Sequence, residues 1–348
     1  MEGGVSMIGA EEYGDRPLPL SEKHCASILL KIADIGFQTV SVDPLLHLHL
    51  PGAAQKFHNL KGGADLFLEA AWGDISLREE RGKIIFDSGA LWKLYENTDH
   101  YVFYFCSRPM GSIAYKMAEI DKNGTRGKVF LHRPYFDPGQ PIDPLEYPLD
   151  ELLLIHLLGM GKGVEVHACG VVDSLGQGHL FLGQSGAGKT TLARLWEKKP
   201  GVTILNDDRI VLRKADEKFW MFGTPWHGEG RMSSPCRAPL RRIYFLRRGE
   251  KNEFIPQRVP ASIGGLFACS FLPFYNPQAV EFSLAFYEEV VKKVQCGELR
   301  VFPDERVIDF ITGLKTEERA MTPFPRYSLQ RPLLDLETGE VSPGAVAR

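Results

Sequence analysis

The spacing of apolar residues changes several times along the chain, and each change marks an element. Between residues 25 and 115, β-branched and aromatic side chains gather in short runs. These are Val40-Ser-Val42, Lys83-Ile-Ile-Phe86, Ala90-Leu-Trp-Lys-Leu-Tyr95 and His100-Tyr-Val-Phe-Tyr-Phe-Cys106. Such residues suit a half-buried pleated surface. Asp87-Ser-Gly89, Glu96-Asn-Thr-Asp99 and Lys122-Asn-Gly124 supply turns between some of them. The pattern predicts a small antiparallel sheet, with a helix near 21–35. His47-Leu-His49 alternates as a strand does, but no third metal ligand accompanies its two histidines.

The pattern then breaks. Residues 134–148 hold five prolines, which excludes a helix there. A helix follows from Leu149 to Met160 and stops at Gly161. Gly163 to Val172 alternates as a strand. A turn at Leu175-Gly-Gln-Gly178 leads into the apolar run Gly178-His-Leu-Phe-Leu-Gly183, a second strand. Thr191-Leu-Ala-Arg-Leu-Trp-Glu197 reads as a helix. Val202 to Leu212 reads as strand, bend and strand, and Phe219–Phe222 and Leu240–Leu246 read as strands. Past 315 the pattern fades, apart from a short edge-strand candidate at Leu333-Leu-Asp-Leu336. Residues 1–20 are predicted to be poorly ordered. No internal repeat of 20–50 residues is present.

These elements divide the 348 residues into a partly disordered N-terminus (1–20), a β-rich domain (21–146), an α/β region (147–315) and a weakly structured tail (316–348). An apolar fraction of 44% supports a sizeable core. The net charge of −3 gives no global reason to expect nucleic acid or anionic membrane as a partner. No run of 18 uncharged apolar residues suggests a membrane helix, and Met1 to Ala10 lacks the basic start of a signal peptide. The six cysteines form no C-x-x-C pair. They predict reduced, packed thiols and a cytoplasmic setting rather than structural zinc.

The candidate chemistry sits in the α/β region. Gly183-Gln-Ser-Gly-Ala-Gly-Lys-Thr-Thr191 fits the phosphate-loop pattern G-x-x-x-x-G-K-[ST], and it lies between the strand and helix that the pattern requires. Gly183, Gly186 and Gly188 allow a tight turn. The backbone N–H groups of Gly183, Gln184, Ser185, Gly186, Ala187, Gly188 and Lys189 can then face phosphate oxygens, aided by the helix start at Thr190 and Thr191. Lys189 is expected on the β/γ-phosphates and the Thr190 hydroxyl on Mg²⁺. ATP and Mg²⁺ are thus the expected cofactors.

Asp207 and Asp208 follow Lys189 by 18 and 19 residues, one strand–helix–strand step away. Such a step tends to bring both motifs to one sheet edge. Carboxylates there can hold Mg²⁺ or accept a proton from an attacking hydroxyl; an Asn-Asp-Asp turn closing a hairpin, with solvated side chains, is the plainer alternative. Gly223-Thr-Pro-Trp-His-Gly-Glu229-Gly230-Arg231 is a loop dense in polar and aromatic groups. His227 and Glu229 are candidates for metal ligation or proton transfer, and Arg231 for clamping phosphate. A packed Pro-Trp turn is the alternative. His167 lies on the strand before the loop-feeding strand, either as a core residue or as part of the site. Arg237, Arg241, Arg242, Arg247 and Arg248 read as a solvated strand face or a site for an acidic substrate.

His167-Ala-Cys-Gly-Val171, Gly178 to Thr191 and Ile204-Leu-Asn-Asp-Asp-Arg209 together resemble the catalytic domain of HPr kinase/phosphorylase, which shares its fold with phosphoenolpyruvate carboxykinases. Glu298 to Asp309 resembles the end of HPr-kinase-like domains from peptide-modification cassettes. The likeness covers about 160–315. It implies a carboxykinase-like phosphate-loop domain with a mixed sheet, preceded by the smaller β-rich (α+β) domain. It also implies Lys189 on phosphates, Thr190 on metal, Asp208 as base, Asp207 as metal ligand or orienter, and His167 near the active site. HPr kinases are hexameric, so the resemblance implies a homo-oligomer. Thr190 and Thr191 follow the carboxykinase form, where many HPr kinases have Ser then Glu. The first 150 residues do not resemble the amino-terminal domain of bacterial HPr kinases.

The combined expectation is an ATP- and Mg²⁺-dependent kinase acting on a hydroxyl, a serine's above all, of a peptide, small protein or small molecule. A nucleotide-sensing or assembly module without phosphotransfer is the non-enzymatic rival. A carboxykinase-type reaction is the other, and it would need a metal-binding Lys/His pair outside the loop.

Overall fold

The computed structural model describes residues 27–314, apart from 60–61, 76–81, 90, 108–113, 138, 185 and 303. The expectations for 1–20, 316–348, Leu333–Leu336 and Cys25 lie outside the described residues, as does Ser185 of the phosphate loop. Two mixed sheets with flanking helices make up the fold.

The first sheet has eight strands. They are β1 (Ser27–Ile32), β2 (Ile35–Ser41), β3 (Leu66–Trp72), β4 (Lys83–Asp87), β5 (Trp92–Glu96), β6 (His100–Cys106), β7 (Ala114–Asp121) and β8 (Arg126–Leu131). Their order is β1-β2-β3-β8-β7-β6-β5-β4. The runs near 83–106 form β4 to β6. The sheet is larger than expected and mixed, because β3 runs parallel to both β2 and β8. The helix expected near 21–35 is instead the β1–β2 hairpin over its described part. Ala33 and Asp34 turn it with φ of 51° and 60°, and Ile32 pairs with Ile35. Ile28, Leu30 and Ile32 are buried with the period two of a strand, and pairing with β2 across the hairpin fixes that conformation.

His47 and His49 are extended but lie outside any strand. Leu46, Leu48 and Leu50 point inward, and the backbone of 47 and 49 bonds to Ile142 in the proline-rich connector. Helix α1 (Leu149–Leu157) then buries Leu149, Leu153, Leu154 and Leu157 in the core of the first sheet. Gly161, at φ 91°, ends the following turn.

The second sheet is built around β9 (Val164–Val172). One edge of β9 pairs with β10 (Gly178–Leu182), and further along with β16 (Ser270–Phe271). The other edge pairs with β11 (Thr203–Asn206) and then β12 (Arg209–Ala215). Helix α2 (Lys189–Glu197) joins β10 to β11. β10 and β11 are therefore parallel to each other, with antiparallel β9 between them. β13 (Lys218–Gly223), β14 (Arg237–Arg248), β15 (Glu253–Pro256) and β17 (Gln295–Val301) extend the sheet. β14 also runs parallel to β10. Helices α3 (Val259–Ala268), α4 (Pro277–Lys293) and α5 (Arg306–Gly313) complete the described chain. Leu266, Phe286, Tyr287 and Val290 of α3 and α4 pack into the core of the second sheet.

No described helix is long and apolar enough to cross a membrane. Five described cysteines are free thiols; Cys169 and Cys296 are buried and Cys236 is exposed.

Candidate active site

The phosphate loop leaves β10 after Leu182, whose partner on β9 is Ala168. On the opposite edge of β9, the Ala168 N–H donates to the Asp208 carbonyl at 2.9 Å. Asp207 and Asp208 are thus not a hairpin turn. They form a bulge inside one strand that runs from Thr203 to Ala215 along β9. The loop and the two carboxylates flank the same residues of one strand, two inter-strand spacings apart, or roughly 10 Å. The crossover β10–α2–β11 produces this placement, because both parallel strands end at the same edge.

The loop has the backbone its glycines require. Gly186 and Gly188 have φ of 79° and 102°, values that favour glycine. A β-carbon at either would meet nothing within 4 Å, so open space lies over the loop. Lys189 is buried, and its ammonium donates to the carbonyls of Gly183 (2.6 Å) and Gln184 (3.4 Å). Burial lowers its pKa from the usual lysine value. These are exchangeable partners for a cation that phosphate oxygens would attract more strongly. Arg248, at the end of β14, brings Nη2 to 3.5 Å from the Gly186 carbonyl.

Asn206 organises the bulge. It is fully buried and uses both ends of its amide. Its oxygen accepts from the N–H groups of Asp208 (2.7 Å) and Arg209 (2.8 Å). Its nitrogen donates to the carbonyls of Thr224 (2.9 Å) and Trp226 (3.0 Å). One side chain therefore shapes the acidic pair and ties down the 223–231 loop.

Asp207 and Asp208 occupy different settings. Asp207 is 2% exposed and accepts from the N–H groups of Gly228 (3.0 Å) and Gly230 (2.7 Å). A β-carbon on Gly230 would overlap the Asp207 carboxylate and lie 3.2 Å from Thr190 Cγ2, so the loop passes close to the start of α2. Asp208 is more open. Its Oδ1 lies 3.0 Å from His167 Nε2, and its Oδ2 accepts from Arg209 Nη1. Burial, then the cations Lys189 and Arg209, push the His167 imidazole down to about 4. A neutral imidazole can donate its Nε2 proton to Asp208 and hold that carboxylate in place.

Sequence reasoning overlooked the supports behind Asp208. Arg209 donates its Nε to Glu151 of α1 and lies 4.6 Å over the Phe271 ring. Trp226 donates its indole N–H to Asp150 of the same helix at 2.7 Å. Burial raises the Asp150 pKa to about 8 and also raises that of Glu151. Glu165 is fully buried beside them on β9, its pKa pushed well up by burial, and neither carboxyl oxygen has a hydrogen-bond partner among the described residues. A local signal existed only for Asn206, in the Asn-Asp-Asp run. Glu151 and Asp150 lie 58 and 76 positions from their partners.

The polar residues of the 223–231 loop are less engaged. His227, Glu229 and Arg231 are exposed. His227 Nδ1 lies 3.1 Å from the Gly228 carbonyl, and the Arg231 N–H donates to the same oxygen at 3.1 Å. The loop backbone reaches the bulge; these three side chains project outward from it. The arginines of 237–248 also separate. Arg242 is buried against Gln295, whereas Arg237 is half-exposed and paired with Asp34.

Among the described residues, no group of three His, Cys, Asp or Glu side chains could hold a metal alone. A Mg²⁺ here would take most of its ligands from phosphate and water, which is its ordinary preference in nucleotide sites. Thr190 and Asp207 are the protein groups that would meet it, since a β-carbon placed on Gly230 would overlap Asp207 Oδ2 and lie 3.2 Å from Thr190 Cγ2.

No family model matches the chain, and no curated protein matches it. A solved structure described as the Hpr(Ser) kinase/phosphatase from Coxiella burnetii is similar over 42% of this chain and 90% of its own, with 13% identity and a TM-score of 0.26. At that score, function must be argued from the site itself.

Proposed function

We propose that the protein is an ATP- and Mg²⁺-dependent kinase that phosphorylates a hydroxyl, serine first among them, on a peptide, small protein or small molecule. One observation carries the reading: a phosphate loop and a partly open, His167-held Asp208 flank the same residues of β9.

ATP supplies the phosphoryl group, and Mg²⁺ bound to it offsets the negative charge of transfer. The loop N–H groups and Lys189 bind the phosphates and stabilise the charge that develops on them. Thr190 and Asp207 would hold the Mg²⁺ on its protein side. Asp208 accepts the proton from the acceptor hydroxyl as its oxygen bonds to the γ-phosphorus and the bond to the ADP oxygen breaks. His167 and Arg209 orient Asp208. A kinase of this kind, fed by ATP, belongs in the cytoplasm.

The test is γ-phosphate transfer from labelled ATP with Mg²⁺, offering free serine, a peptide mixture and a cell extract. Asp208→Asn should lose roughly 100- to 10,000-fold in transfer and keep ATP binding. Unchanged transfer in Asp208→Asn would refute the base assignment. ATP binding without transfer to any acceptor would favour the sensor reading.

A further inference from the structure

A second polar pocket lies outside the phosphate site, with a volume of about 200 Å³ and with Lys31, Asp34, Lys56, His58, Phe222 and Arg237 among its lining residues. The tip of the β1–β2 hairpin and the 56–59 segment form one wall; β13 and the start of β14 form the other. Two lysines and an arginine face one carboxylate, in a chain whose net charge is −3.

The cations are held in place. Arg237 pairs with Asp34 at 2.6 Å and stacks over the Trp220 and Phe222 rings at 4.9 and 5.8 Å. Lys31 lies 3.6 Å from the same Asp34. The Lys56 ammonium donates to the Ser233 carbonyl at 3.0 Å, and an ammonium has three donors. One carboxylate serves two cations, so the pocket carries an excess of positive charge that an anion would complement.

Its location suggests which anion. Ser233 pairs with Asn206 in an isolated antiparallel bridge, and Ser234 donates to the Leu205 carbonyl. Asn206 immediately precedes Asp207 and Asp208. The pocket therefore lies on the order of 10 Å from Asp208, about three extended residues. It is on the side of β11 away from β9, so nucleotide phosphates at the β10 edge would not fill it. We propose that it docks an acidic segment of a peptide or protein acceptor, a few residues from the hydroxyl that meets Asp208. The identity of the acceptor rests on the kinase reading; the charge preference does not.

Two fluorescein-labelled nonapeptides test this on the full chain by anisotropy. One has serine followed by glutamates at the second, third and fourth positions, and the other has glutamines there. The glutamate peptide should bind at least about tenfold more tightly. Lys56→Glu should abolish the preference, Lys56→Arg should retain it, and Lys128→Glu on the exposed first sheet should leave it intact. In a transfer assay Lys56→Glu should raise KM for the glutamate peptide and spare kcat. Equal binding of the two peptides, or equal losses in Lys56→Glu and Lys128→Glu, would overturn the docking site. ATP titrations run in parallel separate the two ideas. Peptide selectivity without ATP binding sinks the kinase reading alone, and ATP binding without selectivity sinks the pocket alone.

Discussion

Replacing Asn206 by alanine should damage the site more than its position outside the phosphate loop suggests. The side chain is fully buried and serves Asp208, Arg209, Thr224 and Trp226. Alanine leaves two buried N–H donors and two carbonyls short of a partner. Each stranded group costs roughly 1–3 kcal/mol, and water entering the vacated space recovers part of it. A net loss of about 3–5 kcal/mol is expected, at the upper end for one substitution. The assay is urea unfolding of wild type and variant, followed by tryptophan fluorescence, with ATP titration and phosphotransfer in parallel. ATP affinity should change little, because the loop hangs on β10 and α2. Transfer should fall by two orders of magnitude or more as Asp208 loses its bulge. Asn206→Asp turns a buried carboxylate oxygen toward the Thr224 and Trp226 carbonyls, so at neutral pH it should cost at least as much as alanine. A loss below about 1 kcal/mol with intact transfer would refute the reasoning, and would mean that pairing to β9 alone shapes the bulge.

Other outcomes follow from single contacts. Gly230→Ala places a β-carbon against the Asp207 carboxylate, so it should cost about 1–3 kcal/mol and weaken Mg²⁺-dependent ATP binding; unchanged metal dependence in titration calorimetry would count against Asp207 as a metal ligand. His167 should titrate near 4 by NMR in the free protein and stay neutral at pH 7, and a midpoint at or above 6.5 would contradict its burial beside Lys189 and Arg209. Asp150 has its folded pKa raised from 3.8 to about 8, with Asp143, Lys116 and the Trp226 indole around it. The folded state therefore holds a proton that the unfolded state releases, and this contribution to stability is lost as pH rises through that window. Asp150→Asn should flatten the decline in unfolding midpoint between about pH 5 and 8, and an unchanged slope would reject the assignment.

What the sequence alone determined is the phosphate loop and its flanking strand and helix. Nine consecutive residues carry that motif, and the glycine conformations at 186 and 188 are local requirements. The strand runs from 83 to 106, and those on either side of the Asp-Asp bend, were also legible, since clustered β-branched and aromatic residues are a local signal for a pleated surface. Tertiary structure decided the rest. Near residue 30 the local pattern favoured a helix, and pairing with β2 made it a strand. The different settings of Asp207 and Asp208 depend on which edge of β9 each strand occupies and on loop amides more than 20 residues away. Glu151 and Asp150 became parts of the site because α1, buried in the first sheet, presents them to Arg209 and Trp226 of the second. Such partners share no spacing rule in the sequence. Packing brings them together, and the cost of leaving a buried charge or amide unpaired keeps them there.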